Sequence, residues 1–195
     1  MILFFDTETT GFYDDRLPAD HSAQPHLVQL AALLAEDDGR DVMSVSLIIN
    51  PEVPIPSRAS DVHGITNEIA QVRGVPSKVA MGIFAHMCSL ADLAVAHNVK
   101  FDKGVIEAAQ SRRCGRIFTM QTPTFCTMEA ASPIVNLPPT ERMLAAGFNK
   151  PKPPKLEECI QHFFGEQLEG AHDAMIDVAA CRRVFLHLKS LETAA

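Results

Sequence analysis

Ile2-Leu3-Phe4-Phe5-Asp6-Thr7-Glu8-Thr9-Thr10-Gly11 runs from apolar residues straight into two carboxylates and then into a turn signal. The pattern is that of a buried strand that ends in a turn. Alternation along a strand places Asp6 and Glu8 on one face and Thr7 on the other. Two like charges side by side are unfavourable. Such a pair raises a pKa, accepts a cation, or lies at a wet surface where repulsion costs little. Taken alone, D-x-E is more often a solvated strand end.

Outward from this stretch, polar residues Asp14 to Gln24 form a loop, and Leu27 to Ala35 is an apolar second strand stopped by Glu36-Asp37-Asp38-Gly39. Val42 to Ile49 is rich in β-branched residues and stops at Asn50-Pro51, a third strand, with tight antiparallel connections between them. Pro51, Pro54 and Pro56 force an extended connector. Val75 to Leu90 has helical spacing, Ala91 to Ala96 is a short strand, and Phe101 to Arg112 returns to helical spacing. That alternation predicts parallel pairing. The turn-rich stretch from Phe118 to Pro154, including Lys150-Pro151-Lys152-Pro153-Pro154-Lys155, reads as a surface excursion. Helices over Lys155 to Phe164 and about Asp173 to Leu191 close the chain.

With 195 residues and 47% hydrophobic content, the expectation is one domain, residues 1–195, with its core over about 1–188. The apolar opening is short and runs directly into Asp6, which fails as a signal peptide, and no apolar run reaches the ~20 residues a membrane span needs. The five cysteines are scattered without a C-x-x-C pair, which fits a reduced, cytoplasmic setting. The net charge of −7 argues against a protein that coats duplex nucleic acid, a mode that depends on many Lys and Arg contacts to phosphate. Any nucleic-acid contact is expected to be short and local, and turnover distributive.

Two further carboxylates stand out. In the last helix Ala174, Val178, Cys181, Val184, Phe185, Leu188 and Leu191 follow the apolar stripe, and Asp177 falls on it. A carboxylate on a buried stripe must protonate, pair with an internal cation, or bind metal. Asp102 lies in a helix's first turn, where matching to the helix dipole is a structural alternative, and Asn98 before it has the composition of a cap. His172 precedes Asp177 by five positions, about 140° round a helix, so the two cannot share a helical face. With Gly170 before it and Asp173 able to cap, His172 is expected on the loop leading into the helix. Together the acids have the chemistry to hold two divalent ions about 3.5–4 Å apart, which activate a water and stabilise phosphoryl transfer. Mg²⁺ and Mn²⁺ prefer such oxygen donors, and a neutral imidazole would take the water's proton.

In order along the chain, Phe5-Asp6-Thr7-Glu8-Thr9-Thr10-Gly11, Val62-His63-Gly64-Ile65-Thr66, Ala96-His97-Asn98-Val99-Lys100-Phe101-Asp102, and Ala171-His172-Asp173-Ala174 with Asp177 resemble the motif blocks of the DEDDh exonucleases. These are DnaQ-like relatives of the proofreading subunit of bacterial DNA polymerase III. The resemblance spans about Met1 to Leu188. It implies an α/β, ribonuclease H-like fold, with a mixed central sheet of three antiparallel strands plus parallel strands flanked by helices. It also implies 3′→5′ release of nucleoside 5′-monophosphates with Mg²⁺ or Mn²⁺. Carried over by residue, Asp6, Glu8, Asp102 and Asp177 become metal-binding acids and His172 the general base. Thr9 and Gly11 would meet the terminal nucleotide, His63 and Ile65 line its base pocket, and Asn98 and Phe101 shape the groove at the scissile phosphate. A turn with an apolar anchor explains Val62 to Thr66 as well.

The implied partner is a nucleic acid 3′ end, single-stranded or frayed DNA first and RNA second, with a polymerase or other replication or repair protein as a further partner. A non-catalytic binding module would be expected to lack an acid, and none is missing. A generic metal phosphatase leaves the Asn98 to Asp102 block unexplained.

Overall fold

The computed structural model describes residues 1–193. Strands β1 (Ile2–Thr9), β2 (Leu27–Ala35) and β3 (Asp41–Asn50) form an antiparallel meander. The short helices α1 (Ser57–His63) and α2 (Asn67–Arg73) follow, then β4 (Val75–Pro76), α3 (Ser77–Leu90), β5 (Leu93–Ala96) and α4 (Val99–Cys114). The last elements are β6 (Thr124–Cys126), α5 (Thr127–Val135), α6 (Glu141–Ala145), α7 (Leu156–Phe164) and α8 (Ala174–Thr193). The sheet order is β4-β3-β2-β1-β5-β6, with β5 parallel to β1, β6 parallel to β5 and β4 parallel to β3. This is the mixed α/β sheet expected of a ribonuclease H-like fold. Among the described residues no helix is long and apolar enough to cross a membrane.

Every residue of β2 is buried, because helices cover both sides of the sheet, and a strand so placed must be apolar throughout. The two faces of β1 read directly from its alternation. Leu3 and Phe5 pack with Met81 and Phe84 of α3 and with Val105 and Ile106 of α4. Phe4 points the other way, into Val178, Cys181 and Phe185 of α8, meeting the Phe185 ring edge-on at 5.5 Å between centroids. Each such buried aromatic contributes roughly 2–3 kcal/mol. Continued along the strand, the same alternation directs Asp6 and Glu8 to the α8 face and Thr7 to the α4 face.

The strand and helix expectations hold in outline, with shifted ends. β1 continues through the carboxylates to Thr9, and α4 begins at Val99, so Asp102 sits in its first turn. Two segments differ. Helix α1 takes in Val62 and His63, and α2 begins just after Thr66; each is too short to show a helical period. More important, residues 118–154 are only in part a surface excursion. Within them β6 extends the sheet, and Phe125 packs edge-on against Phe185 with ring centroids 5.2 Å apart. Helix α5 buries Thr127, Ala131 and Val135. A three-residue strand and a helix interrupted by Pro133 leave almost no periodic signal, which is why composition alone hides them. The stretch from Pro138 to Pro153 is largely exposed.

The long loop between Gly11 and Leu27 is held from within. Buried Gln24 accepts from the Asp14 N–H at 3.1 Å and donates to the Asp14 carbonyl at 2.8 Å. Tyr13 lies on α4 at Gly104, where a Cβ would come within 2.5 Å of its ring, so a larger residue there would push the loop away. Lys100 also pairs with Asp15.

Candidate active site

The parallel pairing of β1 with β5 aligns Phe4 with Val95, which brings the carboxyl ends of both strands to one edge of the sheet. Ligand sites favour this edge in sheets with parallel strands. β1 delivers Asp6 and Glu8 there. After β5, Asn98 adopts a left-handed conformation (φ 70°) and turns the chain into α4, whose first turn presents Asp102. Helix α8 lies against β1 and starts at the same edge, with Asp177 in its first turn.

A concave pocket of about 500 Å³ opens at this edge, lined by Asp6, Asn98, His172 and Asp177 and walled by Phe12, His97, Met128, Pro153, Pro154 and Leu168 among others. Donor atoms of Glu8, His172 and Asp177 lie within 4.8 Å of one another. His172 sits in the turn before α8 with φ 71°, a strained conformation for a non-glycine residue. Its backbone N–H donates to Asp177 Oδ2 at 3.0 Å and its side chain is exposed. Asp173 caps the helix by accepting from the Met175 N–H at 3.0 Å.

Asp102 reaches the site differently. It is 3% exposed, and its Oδ1 accepts from both the Thr7 hydroxyl at 2.7 Å and the Thr7 N–H at 3.0 Å. It therefore approaches from the α4 face, anchored to the residue between Asp6 and Glu8.

The electrostatics are those of carboxylates held together without a counter-charge. Asp6 is pushed well above the usual carboxylate range, first by burial and then by the charges of Asp102, Asp177 and Glu8. Burial, then Asp177 and Asp102, raises Glu8 to about 8. Burial raises Asp102 to about 7 against the opposing pull of Thr7's hydrogen bonds. Asp177 is raised by burial, in part offset by the His172 N–H. Among the described residues none of these acids forms a salt bridge with Lys or Arg. The internal ion pair that would have explained Asp177 structurally is thus not made. A site with oxygen donors, one imidazole within reach and unbalanced negative charge fits divalent cations.

The remaining sequence-derived residues divide. Thr9 ends β1 buried, its hydroxyl donating to the Gly11 carbonyl at 2.5 Å. At Gly11 a Cβ would meet nothing within 4 Å, leaving the backbone open to approach. His63 Nδ1 accepts from the Ile65 N–H at 3.1 Å. Its Nε2 is buried without a hydrogen-bond partner, and burial is the main cause that lowers the ring's pKa, with the Thr9 backbone opposing it. Ile65, by contrast, is buried with Val28, Ile55 and Ala70, and Phe101 packs against the core under α4; neither lines the pocket. Lys152 and Lys155 are paired with Glu158 at 2.5 Å and Glu157 at 3.0 Å. Phe12 was not singled out from the sequence. It is 87% exposed at the pocket, and a bulky apolar residue right after the turn glycine was its only signal. His97 carries no sequence signal beyond its motif. Its half-buried ring has its pKa lowered by burial and spans Thr127 Oγ1 and the Pro154 carbonyl at 3.0 Å each.

The RNase_T family, described as Exonuclease, matches residues 3–185. A DNA polymerase III subunit epsilon-like protein of Rhodobacter capsulatus is 34% identical over 99 residues, 50% of this chain and 13% of that protein. A PolC-type DNA polymerase III of Latilactobacillus sakei is 30% identical over 127 residues, 65% of this chain and 8% of that protein. The chain thus spans about a tenth of the length of these curated relatives. Among solved structures, E. coli exonuclease I in complex with a dT13 oligonucleotide superposes with a TM-score of 0.66 at 20% identity, covering 96% of this chain and 40% of that one. Exonuclease X in complex with 5′ overhanging duplex DNA gives a TM-score of 0.58 at 18% identity, covering 98% and 92%. These likenesses carry the fold. The motif blocks, the match over nearly the whole chain and the polymerase III relatives together show that this chain belongs to the exonuclease family, in its DnaQ-like 3′→5′ branch.

Proposed function

We propose that the protein hydrolyses phosphodiester bonds from the 3′ end of single-stranded or frayed DNA and releases nucleoside 5′-monophosphates. The observation that carries this reading is the gathering of Asp6, Glu8, Asp102 and Asp177 at one edge of the sheet, where Asp6 and Asp177 line an open pocket and where, among the described residues, no Lys or Arg pairs with any of the four. Such a cluster repels a phosphodiester unless cations are bound, so activity requires them. Two divalent ions, Mg²⁺ or Mn²⁺, would be held by these acids and would supply Lewis-acid activation of water and charge balance at phosphate. The protein's own groups do the rest. His172, on its exposed turn, takes the proton from the attacking water. Thr7 holds Asp102 in place. Thr9, Gly11 and His63 meet the terminal nucleotide, and Asn98 borders the scissile phosphate.

Preference for single-stranded DNA draws on the dT13 strand held by exonuclease I, and a replication or repair partner draws on the polymerase III relatives. A reducing cytoplasm suits the free cysteines, of which Cys159 and Cys181 are buried.

The test is a 5′-labelled strand offered as single-stranded DNA, RNA and mismatched duplex, with Mg²⁺ or Mn²⁺, to the wild type, Asp6→Ala and His172→Ala. A stepwise metal-dependent ladder on DNA that both variants lose supports the reading. Absence of metal-dependent shortening overturns it, and faster shortening of RNA moves the substrate to RNA ends.

A further inference from the structure

Residues 151–155, Pro-Lys-Pro-Pro-Lys, form a strap, of which Pro153, Pro154 and Lys155 wall the pocket that contains Asp6 and His172. Prolines have no N–H to donate, so such a segment must be held largely through its carbonyls and its lysines. Several of its bonds are to neighbouring excursion residues and to α7. The Lys152 N–H donates to the Leu137 carbonyl at 3.0 Å, Lys152 Nζ reaches Glu158 Oε1 at 2.5 Å, and the Lys155 N–H reaches Glu158 Oε2 at 2.7 Å. Among the described residues, the hydrogen bond that joins the strap to the central sheet comes from His97, which directly follows β5.

The bond pattern defines the state of the ring. The Pro154 carbonyl only accepts, so His97 Nε2, 3.0 Å away, carries the hydrogen. Nδ1 lies 3.0 Å from the Thr127 hydroxyl, which also reaches the Ala96 carbonyl at 3.4 Å. One imidazole therefore joins the strap, the start of α5 and the β5–α4 junction that presents Asp102.

We propose that His97 is a positioning residue that holds the 151–155 strap as a preformed wall of the strand-binding groove through its Nε2–H bond to Pro154. The kinetic part of this rests on the exonuclease reading above; the anchoring part does not. A strap held in advance need not be ordered when the strand arrives, and preorganisation of this kind acts on affinity more than on chemistry.

The full chain is examined as His97→Phe, which keeps ring volume without the hydrogen bonds, as His97→Gln, whose amide can still donate to Pro154, and as Thr127→Val. Amide hydrogen exchange at Lys152, Lys155 and Leu156 should quicken about tenfold in His97→Phe, the scale of one lost hydrogen bond. On a labelled single strand, KM should rise about tenfold while kcat changes less than about twofold. The p-nitrophenyl ester of thymidine 5′-monophosphate, which lacks an upstream strand, should show the smaller effect. His97→Gln should recover most of the loss, and Thr127→Val should move in the direction of His97→Phe. Unchanged exchange in the strap overturns the proposal, as does an equal change in KM and kcat with no recovery in His97→Gln. Should His97→Phe not fold, strap exchange in Thr127→Val decides by the same criterion. If the wild type degrades no nucleic acid, the exonuclease reading fails while the exchange measurement still decides the anchor.

Discussion

Thr7 and Asp102 are joined by two hydrogen bonds to a single carboxylate oxygen, from the Thr7 hydroxyl at 2.7 Å and the Thr7 N–H at 3.0 Å. Thr7 lies between Asp6 and Glu8 and points to the opposite face of β1. The strand thus presents two acids on one side and orients a third from the other. In Thr7→Val the backbone bond and the side-chain volume persist while the hydroxyl is lost. A hydrogen bond to a charged group is worth about 1.5–3 kcal/mol, so kcat should fall roughly 10- to 100-fold, with KM little changed. Steady-state kinetics on a labelled strand check this, and unaltered kcat removes Thr7 from the site's design.

Charge repulsion in the acid cluster destabilises the metal-free fold. The acids have folded pKa values above their ordinary ones, so the folded state binds more protons than the unfolded chain. The sign follows: this cluster's contribution to the stability of the metal-free protein is fully present below about pH 4 and is lost as pH rises towards the folded values of about 7 for Asp102 and about 8 for Glu8. Urea unfolding with chelator across this range should show the decline, and Mn²⁺ should reverse it most strongly at the alkaline end. A flat metal-free profile contradicts the electrostatic picture.

Asp6→Asn keeps the shape of a buried acid that neighbouring carboxylates repel and removes its charge. It should abolish turnover and yet raise the metal-free melting temperature at pH 8, by about 2–4 °C for each kcal/mol of repulsion relieved. The same substitution should diminish the stabilisation by Mn²⁺. A lower melting temperature would mean that Asp6 has a favourable partner.

Phe12 exposes an aromatic ring beside the pocket and contributes little to the core. If it stacks on a base, Phe12→Ala should raise KM for an oligonucleotide by about 5- to 100-fold, since base stacking on an aromatic residue is worth about 1–3 kcal/mol. Thermal stability should stay within about 1 °C, as expected for a surface substitution. An unchanged KM would leave Phe12 a bystander.

Phe185 touches both Phe4 and Phe125, so α8 is seated on β1 and β6 together. Phe185→Ala should cost about 3–5 kcal/mol of stability in urea unfolding. Because Asp177 sits two turns earlier on the same helix, the folded fraction should also lose affinity for Mn²⁺, measured by calorimetry. A variant that loses stability alone would show that the start of α8 is held independently by Asp173 and His172.

The features legible in the sequence are those that depend on local periodicity. The strand alternation that aligns Asp6 with Glu8 and the helical stripe that carries Asp177 are set by residues a few positions apart, as are the turn before α8 that carries His172 and the three antiparallel strands. The order of the motif blocks added the family. What local pattern could not show depends on distant segments meeting. Nothing near Thr7 says that its hydroxyl belongs to Asp102. Ile65 and Phe101, assigned to the substrate side by their motifs, turn inward because hydrophobic neighbours from other elements close over them. Strand β6 and helix α5 are too short and too interrupted to signal themselves, and they acquire their place only because β5 and α8 offer an open sheet edge and an apolar face. The sequence by itself determined which acids are candidates for the chemistry and on which face of its own element each lies. Only the tertiary structure decided that the ends of β1 and β5 meet, that among the described residues no cation balances the acids, and that a proline strap closes beside them. Alternation and helical pitch are written in adjacent residues, whereas parallel pairing and long-range hydrogen bonds exist only once the chain has paid the entropy of bringing remote segments together.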